Sequence, residues 1–261
     1  MENKIPKIIH YVWVGGKPKP DSVLKCIESW KKFCPDYEIK EWNESTFDIN
    51  SNMFVKEAIE NRKFAFASDY IRLYALWTEG GIYMDTDVEL VKPLDEFLVH
   101  RAFSGFENAV WIPTAVMGAE KEHPWIKLLL SYYDGRHFAV NGKLDTTTNV
   151  QIISAQTRLF YDIKMNDTYQ ELEDDLVFYP HDWFCPKNYV TEVIESTENT
   201  HAIHHFAGSW TTNKNKTADK FVKFIRKLFG AKLFEKMKLK FLRRESNKYY
   251  KKFKKLYKGK N

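Results

Sequence analysis

The stretch FAFASDYIRLYALWTEGGIYMDTDVEL, Phe64 to Leu90, constrains the fold more than any other. Phe66, Tyr70, Leu73 and Trp77 recur at steps of four, three and four, which predicts a helix with one apolar stripe. Gly80 stands where a left-handed residue would end that helix. The residues on either side of Asp85 and Asp87 then read as strand. In an extended segment, residues i and i+2 face the same side, so the two carboxylates are expected to point one way. Like charges that close repel, and burial raises their pKa values. A hard divalent cation that takes oxygen ligands is the simplest partner. The plain alternative is a polar strand end with two solvated aspartates, because a bare D-x-D is a weak signal.

The surrounding chain predicts an α/β domain. KIIHYVWV (Lys7 to Val14), closed by Gly15-Gly16, reads as a buried strand and turn. Val23, Leu24, Ile27 and Trp30 follow at helical spacing, and YEIKEW reads as a second strand. HPWIKLLLSYY and NVQIISAQTRLFY read as helices, and DLVFYP and THAIHHFAGSW as strands. Strands alternating with helices imply a largely parallel central sheet. Residues 1–213 form one expected catalytic or binding unit, with residues 214–261 as a separate tail.

Composition excludes some classes and divides the chain. No apolar run approaches the roughly 18 residues of a membrane span. The first residues lack the layout of a signal peptide, so a cytoplasmic location is expected. Cys26, Cys34 and Cys185 lack metal-site spacing and read as reduced thiols. The net charge of +5 conceals an asymmetry. Lys214 to Asn261 holds 19 Lys and Arg against 3 Asp and Glu, a net of +16, whereas residues 1–213 carry 21 against 32, a net of −11.

Asp69 and Arg72 are three apart and therefore neighbours on the predicted helix. Taken alone, they read as a solvated salt bridge beside the apolar stripe. The helix, however, runs straight into the segment carrying Asp85 and Asp87, and ligands of open α/β sheets bind at the carboxyl ends of strands.

At this point a resemblance becomes specific. FASDYIRLYALWTEGGIYMDTDVELVKPLDEF resembles the central block of the family 32 glycosyltransferases, whose pattern is S-D-x-x-R, a helix, G-G-x-Y-x-D-x-D and K-P-L. Ser68, Asp69, Arg72, Gly80, Gly81, Tyr83, Asp85, Asp87, Lys92, Pro93 and Leu94 meet every fixed position. IPKIIHYVWVGG, HPWIKLLLSYY and AIHHFAGSW resemble further segments, so the likeness covers most of residues 5–210. It implies a GT-A type α/β fold, with the basic tail as a helical addition, and a retaining, Mn²⁺- or Mg²⁺-dependent transferase. The donor would be a nucleotide-diphosphate sugar, with UDP favoured.

The same resemblance implies roles. Asp85 would bridge toward the ribose and the metal, Asp87 would ligate the metal that holds the donor diphosphate, and Asp69 and Arg72 would grip the transferred sugar and help place the phosphate. Trp13, with Val12 beside it, would stack on the base; for Trp13 the alternative is a core aromatic. Ser68 and Tyr83 would line the donor pocket, and Ser209 and Trp210 would close over the leaving phosphate. Asn149 is a weaker donor contact, with Gln151 near it. Of the adjacent His204 and His205, which face opposite ways in a strand, His205 is taken as the third metal ligand, against a structural role.

The tail is basic, aromatic and amphipathic, the pattern of segments that bind anionic membrane surfaces. Its first helix, DKFVKFIRKLFG, is expected to pack on the body at least in part, with the later residues better placed for membrane. The alternative is that the tail packs on the domain and only its outer face is basic. A nucleic-acid partner fits the charge, but no recognition motif supports it. The acceptor expected is a hydroxyl of a glycan, lipid-linked at the inner membrane face, with the protein peripheral there. A nucleotide-sugar hydrolase or nucleotidyltransferase, and a non-enzymatic basic-tailed binding protein, are the rival readings.

Overall fold

The structure is a computed structural model, and it describes residues 2–112, 115–188, 193–207 and 230–258. In chain order, β1 (Ile8–Val12), α1 (Asp21–Phe33), β2 (Glu38–Trp42), α2 (Met53–Glu60) and α3 (Phe64–Glu79) lead into β3 (Gly81–Met84) and β4 (Val88–Leu90). Next come β5 (Ala102–Gly105), β6 (Val116–Ala119), α4 (Pro124–Leu130), a hairpin of β7 (Ala139–Val140) and β8 (Lys143–Leu144), and α5 (Asn149–Phe160). Then follow β9 (Gln170–Leu172), β10 (Leu176–Tyr179), α6 (His181–Phe184), β11 (Ala202–His204) and a C-terminal helix, Ala231–Lys258.

Seven strands form one sheet in the order β2-β1-β3-β6-β5-β10-β9. β2, β1, β3, β5 and β10 share a direction, while β6 and β9 oppose it. With helices on its faces, this is the mixed α/β architecture expected for a GT-A fold.

Alternation along the strands builds two cores. Val12, Tyr83, Ala102, Met117 and Phe178 join one cluster with α2, α3, α4 and α5. Ile9, Tyr11, Ile82, Met84, Phe103 and Val177 join the other with Trp30 of α1 and with Phe97 and Phe184. In α1 the expected face is buried through Val23, Ile27 and Trp30, whereas Leu24 is exposed.

The junction of α3 and β3 depends on its glycine pair. Gly80 lies at φ 70° and ψ −169°, a region essentially restricted to glycine. A Cβ there would stand 2.8 Å from the Lys121 nitrogen, and one on Gly81 would stand 2.7 Å from the Ile8 carbonyl oxygen. His10 ties the junction to β1. Trp42 Nε1 donates to its Nδ1 at 3.0 Å, so Nε2 carries the proton and donates to the Gly80 carbonyl at 2.7 Å. Burial lowers the His10 pKa, consistent with a neutral ring.

One expectation needs correction. The helix α3 is not buried along one stripe: Ala67, Asp69, Ile71, Arg72, Ala75 and Leu76 are buried as well, while Tyr70 and Trp77 are only half-buried. Elements on both sides enclose it. The later part of the tail packs one face on the body, the alternative given for it above. Arg158 of α5 donates to Ser246 Oγ at 3.1 Å and Asn247 Oδ1 at 3.0 Å. Gln156 Nε2 lies 2.8 Å from the Tyr257 hydroxyl, and the buried Phe253 ring stacks on Tyr132 at 5.6 Å. Residues 219–229 of the first predicted tail helix lie outside the described residues. No described helix is long and apolar enough to cross a membrane.

Candidate active site

The site lies where α3, the carboxyl end of β3 and β11 meet. Since α3 runs directly into β3 and packs beside it, the first turns of the helix return to the end of that strand. Asp69 and Arg72 are therefore brought back to Asp85.

The expected Asp69–Arg72 pair is present, but it is not solvated. Arg72 Nη2 lies 3.2 Å from Asp69 Oδ1 and 3.1 Å from Asp85 Oδ1, and the Arg72 side chain is 5% exposed. Its guanidinium sits 4.4 Å over the Tyr83 ring, while the Tyr83 hydroxyl donates to Asp85 Oδ1 at 2.8 Å. Arg72 Nε also donates to the Ser68 carbonyl at 3.3 Å. Nη2 thus serves two carboxylates while Nε reaches the Ser68 carbonyl and the plane caps an aromatic face, a combination that suits a planar guanidinium.

Burial pushes the Asp69 carboxyl up to about 7, with the Arg72 charge opposing and the Asp85 charge adding to the rise. For Arg72, burial acts to lower the pKa, but the charge of Asp85 and its neighbours outweighs it and the net shift is upward. Tyr83, buried beside Asp85, is raised well above its ordinary value, chiefly by burial.

Asp85 and Asp87 do not lie within one extended strand. Strand β3 ends at Met84 and β4 begins at Val88, and the Val88 N–H donates to the Asp85 carbonyl at 3.0 Å across a tight turn. The carboxylates converge because of this turn and not through strand alternation. Antiparallel β11 then sets His204 opposite Val88. His204 Nε2 is 3.4 Å from Asp87 Oδ1, and the Ala207 N–H donates to Asp87 Oδ2 at 2.8 Å.

Ligand-type atoms of Asp85, Asp87 and His204 lie within 4.8 Å of one another. His204 Nδ1 is buried and has no hydrogen-bond partner among the described residues. Two carboxylates and an imidazole suit a divalent ion of the Mn²⁺ or Mg²⁺ type. Burial alone would raise Asp87, but the hydrogen bond and charge of His204, with the Ala207 N–H, overcome it and hold the carboxyl at about 2. Burial lowers the His204 pKa, yet Asp87 outweighs it and the imidazole is raised overall.

His205 is not part of this cluster. It follows the last residue of β11 and turns away, and its Nε2 pairs with Glu89 Oε2 at 2.8 Å. The choice between the two histidines depended on strand phase, which the register with β4 decides.

The other expected residues are placed as follows. Val12 is buried in the core at the end of β1, beside β3 in the sheet. Trp13 follows it, half-buried, and its Nε1 donates to the Lys17 carbonyl at 2.7 Å with the Lys19 ammonium 5.9 Å over the ring. Ser68 donates to the Ala65 carbonyl at 2.7 Å beside Arg72. Asn149 opens α5 behind a capping box of Thr148 and Gln151, with its amide beside Asp69. Neither Asn149 Oδ1 nor Nδ2 makes a hydrogen bond of ordinary geometry among the described residues. Ser209 and Trp210 lie outside the described residues.

Two side chains near the site carry no sequence signal. Tyr133 is buried with its hydroxyl unpartnered among the described residues, and its ionisation senses Asp69 and Arg72. Glu107 follows β5; burial raises its carboxyl, and the charges of His204 and Lys238 oppose that rise. Only the tertiary fold brings either residue to the cluster.

Comparison with known proteins agrees with the motif. Residues 20–104 match the family model described as the glycosyltransferase sugar-binding region containing a DXD motif. The chain is 29% identical over 126 residues to inositol phosphoceramide mannosyltransferase 3 of Schizosaccharomyces pombe, covering 47% of this chain and 35% of the relative. It is 30% identical over 145 residues to mannosyl phosphorylinositol ceramide synthase SUR1 of Saccharomyces cerevisiae, covering 50% and 36%. The match thus spans about a third of the length of each of these relatives. Among solved structures, the galactosyltransferase LgtC aligns with a TM-score of 0.46 at 12% identity, over 88% of this chain and 94% of that one. The PaToxG glycosyltransferase aligns with a TM-score of 0.47 at 20% identity, over 59% and 69%.

Proposed function

With a DXD-containing glycosyltransferase sugar-binding region across residues 20–104 as the premise, we propose that this chain transfers a sugar from a nucleotide-diphosphate donor to a glycan hydroxyl. UDP is the favoured carrier, the configuration at the sugar is retained, and the acceptor is lipid-linked at the inner membrane face. The observation that carries this reading is the convergence of Asp85, Asp87 and His204 within 4.8 Å, beside the buried Asp69–Arg72 pair.

Asp85, Asp87 and His204 would hold Mn²⁺ or Mg²⁺. When bound, such an ion acts as a Lewis acid and stabilises charge on a diphosphate leaving group. Arg72, held by two carboxylates, supplies fixed positive charge at the same place without reorganising. Asp69 and Asn149 present buried polar atoms to the hydroxyls of the donor sugar, and Asn149, which makes no hydrogen bond of ordinary geometry among the described residues, gains partners there. Trp13 offers an aromatic face at the end of β1 for the nucleobase, and Ser209 and Trp210 complete the phosphate side. No carboxylate is assigned as nucleophile; the leaving phosphate accepts the acceptor's proton on the same face.

The test is a panel of UDP- and GDP-sugars with Mn²⁺, run with and without glycan acceptors, with products separated by mass. A transferred sugar whose formation stops on chelation is expected. Free sugar with every acceptor would identify a hydrolase, and new phosphoester products a nucleotidyltransferase. Failure to bind any nucleotide sugar leaves the basic-tailed binding protein.

A further inference from the structure

The C-terminal helix has two unlike faces. Leu239, Leu242, Ser246, Tyr249, Tyr250, Phe253 and Tyr257 recur at helical spacing and are buried or half-buried. Arg158, Gln156 and Tyr132 fix this face to the body. The helix is therefore a docked element whose outward face is set by the fold.

That outward face changes character along its length. Leu233, Met237 and Phe241, spaced by four, are 49%, 51% and 60% exposed. They are followed on the same side by the exposed Arg244, Lys248, Lys251 and Lys255. Lys236, Lys240 and Arg243 flank the apolar residues and are exposed. A purely solvated face has no need of three large apolar side chains in register, and a nucleic-acid surface would use cations with stacking aromatics in a groove. Apolar side chains beside a row of cations fit the plane of an anionic bilayer, where the former enter the acyl boundary and the latter meet phosphate headgroups. Residues 1–213, at −11 by sequence, are repelled by the same surface, whereas Ala231–Lys258 holds 12 Lys and Arg against 2 Glu, a net of +10.

We propose that the C-terminal helix is an in-plane membrane-docking element, with Leu233, Met237 and Phe241 as its inserted edge and Arg244 to Lys255 as its headgroup row. This deepens the membrane part of the functional reading and depends on neither the donor nor the metal.

The test uses the full chain and vesicles of phosphatidylcholine with or without phosphatidylglycerol. The parent should co-sediment with the anionic vesicles and far less with the neutral ones, and added salt should weaken the binding. Met237→Glu with Phe241→Glu should lower anionic-vesicle binding by about tenfold or more, while the melting temperature stays within a few degrees because both residues are exposed. Leu24→Glu, a change at an exposed leucine of α1, should leave binding unaltered. Equal binding by the double variant, or equal binding to neutral vesicles, overturns the proposal. So does retention of single-stranded DNA in place of vesicles. Should the double variant fail to fold, Arg244→Glu with Lys248→Glu decides: unchanged vesicle binding there overturns the proposal too. Lack of UDP binding by the parent would sink the donor reading alone.

Discussion

Arg72 Nη2 stands 3.1 Å from Asp85 Oδ1, and this contact joins the interior of α3 to the turn after β3. The same nitrogen reaches Asp69 Oδ1 at 3.2 Å. Replacing Arg72 with Met leaves the Asp69 carboxylate and the half-buried Asp85 carboxylate facing each other without that cation. Breaking a buried pair from one side costs about 3–5 kcal/mol, so Arg72→Met should lower unfolding stability by that order. Arg72→Lys should recover only part, since an ammonium has no second nitrogen to donate to the Ser68 carbonyl and no plane to lay over Tyr83. Urea denaturation measures both; a loss under about 1 kcal/mol for Arg72→Met would mean that the pair is not part of the fold's support.

Asp69 gives the protein a characteristic pH dependence. Its folded pKa, pushed up to about 7 by burial, exceeds the ordinary 3.8. Between these values the folded state binds more protons than the unfolded state, so stability falls as pH rises from about 4 to about 7 and is flat above. A shift of this size corresponds to roughly 4 kcal/mol at 1.36 kcal/mol per unit. Asp87 acts in the opposite direction: held at about 2, it contributes stability above pH 4 that is lost as pH falls towards 2. Asp69→Asn should flatten the decline between pH 4 and 7 and leave the acid limb unchanged. Denaturation midpoints of the metal-free protein across this range measure it, and an unaltered slope in the variant counts against the assignment.

The two histidines separate metal ligation from local structure. His204→Ala removes an imidazole from the Asp85–Asp87 cluster, whereas His205→Ala removes only a pairing with Glu89 at the surface. Mn²⁺-dependent binding of UDP should weaken by about tenfold or more in the first variant, as for loss of a ligand or its support. In the second it should stay within about twofold. Calorimetry with and without chelator checks both, and the reverse ranking would restore His205 as the ligand.

Much of this site is legible in one dimension because its chemistry is concentrated between Ser68 and Asp87. The helix, its glycine stop and the two aspartates are local features, and local spacing reports them. What spacing cannot report is phase and enclosure. The pairing of β11 with β4 sets His204, and not His205, beside Asp87. Packing from both sides buries Asp69 and Arg72, which on α3 alone look like a surface pair. Likewise the Asp85–Asp87 turn is extended in pattern and bent in fact, since Val88 bonds back to Asp85. The short strands β5 and β6 and the approach of Glu107 and Tyr133 rest on contacts distant in sequence, for which the chain offers no periodic signal.

The last prediction concerns the status of the tail. Read as a charge run, residues after about 230 look removable, and a chain ending there would be expected to keep its activity on a soluble acceptor. The packing says otherwise. Phe253 is 2% exposed and joins the same core as Phe54 and Tyr133, and Arg158 makes two hydrogen bonds to the helix. Deleting a buried phenylalanine side chain costs about 3–5 kcal/mol. At about 2–4 °C per kcal/mol for a domain of this size, Phe253→Ala should lower the melting temperature by roughly 10 °C. A chain ending at residue 230 should lose at least as much, because Tyr132, Phe160 and Arg158 are then uncovered as well. Calorimetry on the three chains decides the matter. If the shortened chain melts with the parent, the helix is an appendage to the domain; if it melts earlier in step with Phe253→Ala, the helix is part of the folded body, and a change in its transfer activity reports lost support before it reports lost membrane contact.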